Sequence, residues 1–101
     1  MKNIFGLCKG RHDMVANNGV TVEKFIFDRK INLSLPNVCE LLEAHASEVL
    51  KNFSGQSIDL YVSGLTVALI SVLNAAKWKD VKVVLWHYDR DTEKYFSQDV
   101  I

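Results

Sequence analysis

The sequence predicts an α/β domain with a mostly parallel sheet flanked by helices. Short apolar runs at residues 3–7, 58–62 and 81–86 have the length and composition of buried strands. Two stretches with helical periodicity, residues 36–53 and 66–78, lie between these runs. Alternation of strands and helices is typical of parallel sheets, because parallel neighbours need a long crossover connection.

Length and composition indicate one domain over residues 1–101 with apolar surface to spare. A chain of 101 residues supports a single core. Its apolar fraction of 49% is high for that size, so we expect a partner subunit. The 12 basic and 12 acidic side chains balance, which argues against a general binder of duplex nucleic acid. Any anion site must therefore be a local cluster.

Cysteine usage and hydropathy predict a cytoplasmic protein with no metal, no cofactor and no membrane partner. Cys8 and Cys39 are too few for a disulfide scaffold or a four-ligand metal site. The apolar run after Lys2 stops at Lys9, well short of the roughly 7–15 residues of a signal-peptide core. No stretch approaches the roughly 18 apolar residues of a transmembrane helix.

The N-terminal half is predicted to contain two strands and one helix. Asn and Gly tolerate positive φ, so residues 17–19 (Asn-Asn-Gly) favour a tight turn that leads into a second strand at 20–27. Pro36 suits the first turn of a helix, whose apolar residues then repeat at intervals of three and four. Gly55 closes this helical region.

The C-terminal half is predicted as strand, helix and two further strands. The helix at 66–78 carries only a narrow polar stripe, formed by Ser71, Asn74 and Lys77. Such a helix must be covered on more than one side, which favours a second subunit. A final strand at 92–101 is expected to pair with the strand at 81–86 through a turn at 89–91.

These elements in this order predict a reduced Rossmann-like sheet. Ligands of such sheets bind beyond the carboxyl ends of the strands. Three polar clusters follow predicted strands, at residues 9–12, 63–66 and 87–90. In a parallel sheet they gather on one edge, so we infer recognition of a nucleotide or phosphate there.

Ser63-Gly64-Leu65-Thr66 stands where a strand ends and a helix begins. The N–H groups of such a turn and the positive end of the helix dipole both favour an anion. Gly64 would let a phosphate approach the backbone, and Ser63 or Thr66 would add a hydroxyl. The alternative is an ordinary turn with Thr66 as N-cap. The glycine spacing matches neither a dinucleotide fingerprint nor a P-loop.

Lys9-Gly10-Arg11-His12 places three donors after the first strand. Arginine can bind a phosphate through two hydrogen bonds, and a histidine can donate a hydrogen bond or exchange a proton near neutral pH. The alternative is a solvated basic loop.

His87-Tyr88-Asp89-Arg90 is predicted to follow the most buried strand. Tyr88 would stack on a base, and Asp89 or Arg90 would read its edge. The alternative is a turn with a surface ion pair that contributes little.

The order of the elements, the polar loop after the first strand and residues 62–69 (Val-Ser-Gly-Leu-Thr-Val-Ala-Leu) resemble the small stand-alone CARF-like proteins of type III CRISPR systems. That group includes ring nucleases and cyclic oligoadenylate sponges of antiviral signalling. The resemblance implies a homodimer that binds a cyclic oligoadenylate across its twofold axis. It also implies that Gly64, Leu65 and Thr66 cradle phosphates and that Lys9, Arg11 and His12 contact the ring.

The sequence carries no strict catalytic signature, so capture and cleavage of the ring both stay open. Metal-independent cleavage would need only a ribose hydroxyl placed in line and a cation to stabilise charge. Lys9, Arg11 and His12 are the candidates for that cation.

Two other classes also stay open. One is a small homodimeric interaction module without a nucleotide ligand, in which the three clusters are ordinary loops. The other is a phosphocysteine carrier or phosphatase that uses Cys8. Against it, Met14 stands where the familiar phosphatase loop needs arginine, and a turn rather than a helix follows.

Overall fold

The computed structural model describes residues 3–100 and confirms the α/β class. Its elements in chain order are β1 (Asn3–Cys8), β2 (Phe25–Phe27), α1 (Val38–Leu50), β3 (Ser57–Tyr61), α2 (Thr66–Lys79), β4 (Lys82–Asp89) and β5 (Lys94–Asp99). A 3-10 turn, Lys51–Phe53, continues α1. Met1, Lys2 and the predicted end of the last strand at Ile101 lie outside the described residues.

The five strands form one mixed sheet in the order β2-β1-β3-β4-β5. The first three pairings are parallel, and β4 pairs with β5 in the antiparallel sense. The last pairing is antiparallel because residues 90–93 reverse the chain in a tight hairpin, too short for a crossover. The sheet is therefore mixed, where a mostly parallel sheet was predicted: β2 to β4 pair in the parallel sense, and β5 adds an antiparallel strand at one edge.

Both helices pack on the same face of the sheet. They contact each other and share one apolar core with alternate residues of β1, β3 and β4. Leu7, Ile58, Leu60 and Val83 are fully buried in this core. The crossovers through α1 and α2 both run in the same direction along the sheet, so right-handed connections place both helices on one face.

The solvent-facing stripe of α2 differs from the predicted one. Asn74 and Lys77 are exposed as expected, but Ser71 is buried, and its hydroxyl donates to the carbonyl of Val67 at 2.8 Å. Apolar Ile70 and Trp78 occupy the exposed stripe instead, and Trp78 keeps 80% of its surface accessible. A serine inside a helix can be buried because its hydroxyl can donate a hydrogen bond to a carbonyl of the preceding turn. The prediction, which used polarity alone, therefore assigned Ser71 to the wrong face.

The opposite face of the sheet is covered in part by the connection between β1 and β2. Ala16 and Val22 of this connection are buried against Tyr61, with Trp86 and Tyr95 packed alongside. Residues 20–27 were predicted as one strand, but only Phe25–Phe27 pairs with β1. The preceding residues fold back on the connection itself, where Ala16 N–H and Val22 N–H donate to the carbonyls of Val20 and Met14.

Candidate functional site

The carboxyl ends of β2, β1 and β3 bring two of the three predicted clusters together. The Ser63 hydroxyl donates to the carbonyl of Cys8 at 3.1 Å, which ties the turn after β3 to the end of β1. On the other side, Lys9 N–H donates to the carbonyl of Phe27 at 3.0 Å, so the end of β2 joins the same edge. The predicted juxtaposition of residues 9–12 with residues 63–66 therefore follows from the parallel order of these strands.

The turn from β3 into α2 presents backbone N–H groups at an open position. Gly64 has φ +66, and nothing lies within 4 Å of the place where a side chain would begin. Leu65 is the N-cap residue and Thr66 the first helical residue, so the reading of Thr66 as N-cap is wrong; no side chain caps this helix. Within residues 3–100, no carbonyl accepts the N–H of Gly64, Thr66 or Val67. These donors and the positive end of a 14-residue helix favour the binding of an anion at this turn.

The hydroxyls of Ser63 and Thr66 differ in the hydrogen bonds that they can make with a ligand. Ser63 uses its proton on Cys8, so its oxygen can only accept a hydrogen bond from a ligand. Thr66 is exposed, and no hydrogen bond of its hydroxyl occurs within the described part of the chain. Of the two hydroxyls considered from the sequence, Thr66 is therefore the one that can donate to a phosphate.

Residues 9–12 form an exposed loop beside this turn. Lys9, Arg11 and His12 are all accessible, and no carboxylate of residues 3–100 lies at ion-pair distance from Lys9 or Arg11. Lys9, Gly10 and His12 border a cavity of about 220 Å³ on the β2 side. Asp13 and Glu23 line the same cavity, so its charges are mixed. Residues 9–12 themselves are exposed and contain no acidic side chain.

Cys8 ends β1 as a half-buried thiol. Burial raises the pKa of the Cys8 thiol above its ordinary value, which keeps the sulfur protonated at neutral pH. A phosphocysteine nucleophile needs the opposite shift, because the thiolate is the reactive form. This environment disfavours the carrier or phosphatase alternative.

The third cluster was predicted to follow a strand, but the structure places most of it within the strand. His87, Tyr88 and Asp89 are the last residues of β4, which extends beyond β3 to pair with β5. The His87 ring nitrogen Nε2 lies 2.9 Å from the amide oxygen of Gln98. The Asp89 carboxylate accepts from the N–H of Asp91 and the hydroxyl of Thr92. The side chains of His87 and Asp89 thus make hydrogen bonds within the hairpin.

Tyr88 and Arg90 are the members of that cluster with exposed side chains. Tyr88 keeps half of its surface accessible, and its ring packs edge-to-face on Tyr95 with centroids 5.2 Å apart. A cavity of about 560 Å³ lies between these two tyrosines and residues 13–17 of the β1–β2 connection. The ring of Tyr88 is therefore held at the carboxyl end of the sheet with a surface open to a ligand.

An aromatic cluster that sequence analysis missed supports this end of the sheet. Tyr61 stacks on Trp86 at 5.7 Å and meets Tyr95 edge-to-face at 4.8 Å. The indole Nε1 of Trp86 is buried and has no hydrogen-bond partner among residues 3–100. Alternate residues of a strand point to the same face of a sheet, and that pattern could have indicated this cluster. It places the three aromatic residues on one face only when the register of β3, β4 and β5 is known.

No group of three His, Cys, Asp or Glu side chains within residues 3–100 is arranged to hold a metal ion. None of the helices in that range has the length and apolarity needed to span a bilayer. Comparison of the chain with family models, curated proteins and solved structures finds no match in any of the three.

Proposed function

We propose that this protein binds a cyclic oligonucleotide second messenger, a cyclic oligoadenylate, at the carboxyl edge of its sheet and across a homodimer. The observation that carries the proposal is the hydrogen bond from Ser63 to Cys8. It joins a basic loop to a strand-to-helix turn with unpaired N–H groups. Phosphate recognition needs both features within reach of one ligand.

The phosphate contacts would come from both sides of that hydrogen bond. The N–H groups of Gly64, Thr66 and Val67 offer short-range donors, and the open space over Gly64 lets a phosphate oxygen reach them. Arg11 and Lys9 supply positive charge, and no carboxylate within residues 3–100 lies at ion-pair distance from either. Because the chain has no net charge, these local groups must provide the attraction.

The base contact would come from Tyr88. Its exposed ring lies at the same end of the sheet and can stack on an adenine, a contact that depends on a free aromatic face. Residues 13–17 form the opposite wall of the adjacent cavity. This arrangement supports a nucleotide in preference to inorganic phosphate.

The exposed face of α2 supports the homodimer. Ile70 and Trp78 lie two turns apart on this helix and are uncovered in the single chain. A symmetric ring suits an isologous dimer, in which each subunit presents the same donors to the ligand. A homodimer formed through this face would bring the two α2 helices together.

Sequestration and cleavage are separable outcomes of the same site. His12, Arg11 and Lys9 are exposed cations or proton donors next to the proposed phosphate position. Cleavage would proceed by attack of a ribose 2′-hydroxyl on the adjacent phosphate, which forms a 2′,3′-cyclic phosphate and breaks the bond to the 5′-oxygen. The attacking hydroxyl gives up its proton, the 5′-oxygen takes one up and leaves as a hydroxyl, and one of these groups stabilises the developing charge. A sponge would bind the ring with the same groups and release it intact.

The test is a binding and turnover assay with cyclic di-, tri-, tetra- and hexa-adenylate, read by native gel and by chromatography of the recovered ligand. We expect Arg11→Ala and Gly64→Val to abolish binding. The matched controls are Lys82→Ala and Gly55→Val, both at the amino end of the sheet; Gly55→Val carries comparable backbone strain at φ +77. Intact recovered ligand indicates a sponge, and linear products that form in the presence of chelator indicate a ring nuclease.

Unchanged affinity in both Arg11→Ala and Gly64→Val would rule the site out. Lack of binding across the whole panel would rule out the function.

The second candidate is a homodimeric interaction module, favoured by the 80% exposure of Trp78. It predicts that Trp78→Ser converts a dimer to a monomer in sedimentation-velocity experiments while no cyclic nucleotide binds to the wild-type protein. Nucleotide binding that is retained by a monomeric Trp78→Ser variant would count against both candidates as stated.

A further inference from the structure

A second concave surface lies on the helical side of β2, formed by the connector between β2 and α1 and by α1 itself. The cavity has a volume of about 490 Å³, within the size range of small-molecule sites. That connector comprises residues 28–37. The residues that line the cavity are Phe27, Asp28, Arg29, Lys30, Ile31, Asn32, Leu35, Val38, Leu41, Leu42 and His45.

The floor of this cavity is aliphatic and partly uncovered. Val38, Leu41, Leu42 and His45 lie at helical spacing along one side of α1. Leu42 is buried in the core beneath, whereas Leu41 and Leu35 remain 45% and 43% exposed. These two leucines line the same cavity with much of their surface accessible, so they can pack against the apolar part of a ligand.

The rim of the cavity is basic. Arg29 and Lys30 are both exposed, and no carboxylate within residues 3–100 lies at ion-pair distance from either. Asp28 is the only acid that lines the cavity, so the lining has an excess of positive charge. Two cations beside an apolar floor complement a molecule that has an apolar body and an anionic end.

His45 adds an oriented imidazole to this lining. Its Nε2 lies 2.8 Å from the carbonyl oxygen of Ile26, so Nε2 must carry a proton and donate. The ring also stacks on Phe27 with centroids 5.3 Å apart. These two contacts hold the ring in place, and Nδ1 makes no hydrogen bond within the described part of the chain.

We propose that this cavity binds an amphiphilic organic anion, specifically a medium-chain acyl carboxylate. Arg29 and Lys30 bind the carboxylate, and Leu35, Val38 and Leu41 contact the chain. The two sites are distinct but neighbouring: the lining of this cavity shares no residue with residues 9–12 or 63–66, and Phe27, which lines it, accepts the N–H of Lys9 through its carbonyl.

The test uses the full chain and decanoate, kept below its critical micelle concentration. Amide chemical shifts in ¹⁵N spectra and isothermal titration calorimetry report binding. We expect saturable shifts at Arg29, Leu41 and His45. Arg29→Ala/Lys30→Ala should weaken binding about tenfold or more, since charge-assisted hydrogen bonds are lost. Leu41→Glu, a change at an exposed position, should abolish binding without unfolding the protein.

Matched controls distinguish binding at this site from nonspecific association of the amphiphile with the protein. Lys82→Ala should bind decanoate as the wild type does, and the cationic analogue decyltrimethylammonium should not bind. The proposal is overturned if the cation binds as well as decanoate, if the double variant keeps wild-type affinity, or if the shifts cluster at Ile70 and Trp78 of α2. Absence of saturable decanoate binding also overturns it.

Discussion

The side-chain amide of Asn17 makes both hydrogen bonds that a neighbouring strand would make with Tyr95. Its Nδ2 donates to the Tyr95 carbonyl at 2.9 Å, and its Oδ1 accepts the Tyr95 N–H at 2.8 Å. The two residues lie 78 positions apart in the chain. One amide group thus fastens the β1–β2 connection to β5, across the face that holds Tyr61 and Trp86.

Replacing Asn17 should loosen this connection in a way that depends on the substituent. Asn17→Ala removes both hydrogen bonds, and since both are exposed we expect a loss of about 1 kcal/mol in the free energy of unfolding. Asn17→Asp keeps an acceptor for the Tyr95 N–H but places a carboxylate against its carbonyl. Hydrogen exchange at the Tyr95 amide should therefore accelerate in the alanine variant and stay slow in the aspartate variant. Equal exchange in all three proteins would contradict this account.

A methyl group at Gly6 should destabilise the sheet. A Cβ built at Gly6 overlaps the ring of Phe25, which packs over this position on the face of the β1–β2 connection. Because the ring must shift in a packed setting, Gly6→Ala should lower the free energy of unfolding by about 1–3 kcal/mol. Gly10→Ala is the matched control, since nothing lies within 4 Å of its Cβ position. In urea denaturation, a Gly6→Ala cost no larger than that of Gly10→Ala would show that the ring yields freely.

Stability should fall at alkaline pH through Tyr61 and Tyr95. Burial raises the pKa of both phenols above 10.0, helped by the Asp59 charge for Tyr61 and by Tyr88 for Tyr95. A raised pKa means that the folded state holds the proton more tightly than the unfolded state. The contribution is therefore complete below the ordinary tyrosine pKa and is lost as the pH rises through the folded-state value.

Urea denaturation at several pH values from about 8 to about 11 should reveal this decline, within the window where tyrosine ionises. Tyr61→Phe/Tyr95→Phe should show a shallower pH dependence, because its two phenols no longer titrate. Cys8→Ser separates the thiol, whose pKa burial also raises. A double variant with the wild-type slope would mean that the decline has another origin.

Neighbouring leucines on α1 should differ sharply in their contribution to stability. Leu42 is buried in the core, and Leu42→Ala should cost about 2–4 kcal/mol through lost contacts and a cavity. Leu41, which is 45% exposed, should cost less than about 1 kcal/mol on the same change. Chemical denaturation monitored by circular dichroism tests both variants with identical changes in helix propensity. Comparable losses would place Leu41 in the core and remove the floor of the proposed acyl site.

Local patterns predicted the helices well. The prediction of 66–78 is confirmed within one residue by Thr66–Lys79, and the predicted 36–53 contains Val38–Leu50 and its 3-10 turn. Helical periodicity is a property of neighbouring residues, so no knowledge of the rest of the fold was needed. The strand at 20–27 was overpredicted, because residues 20–22 bond to the connection at 14–16 instead of to β1.

The candidate site was predictable only in part. The meeting of residues 9–12 with 63–66 follows from parallel strands, whose carboxyl ends share an edge. Residues 87–89 were predicted to follow a strand but belong to it, because β4 continues past the end of β3 to pair with β5. The length of a strand beyond its neighbour depends on a partner later in the chain, and no local pattern reports it.

The sequence by itself determined the α/β class, both helices and the polar turn at Gly64, since each rests on spacing within a short window. Tertiary structure alone decided that both helices share one face, that Asn17 bonds to Tyr95, and that Arg29 and Lys30 border an apolar cavity. Each of these depends on strand order and register, which bring distant residues within contact distance. Such contacts cannot be predicted from separation along the chain, because the residues meet only when the sheet has formed.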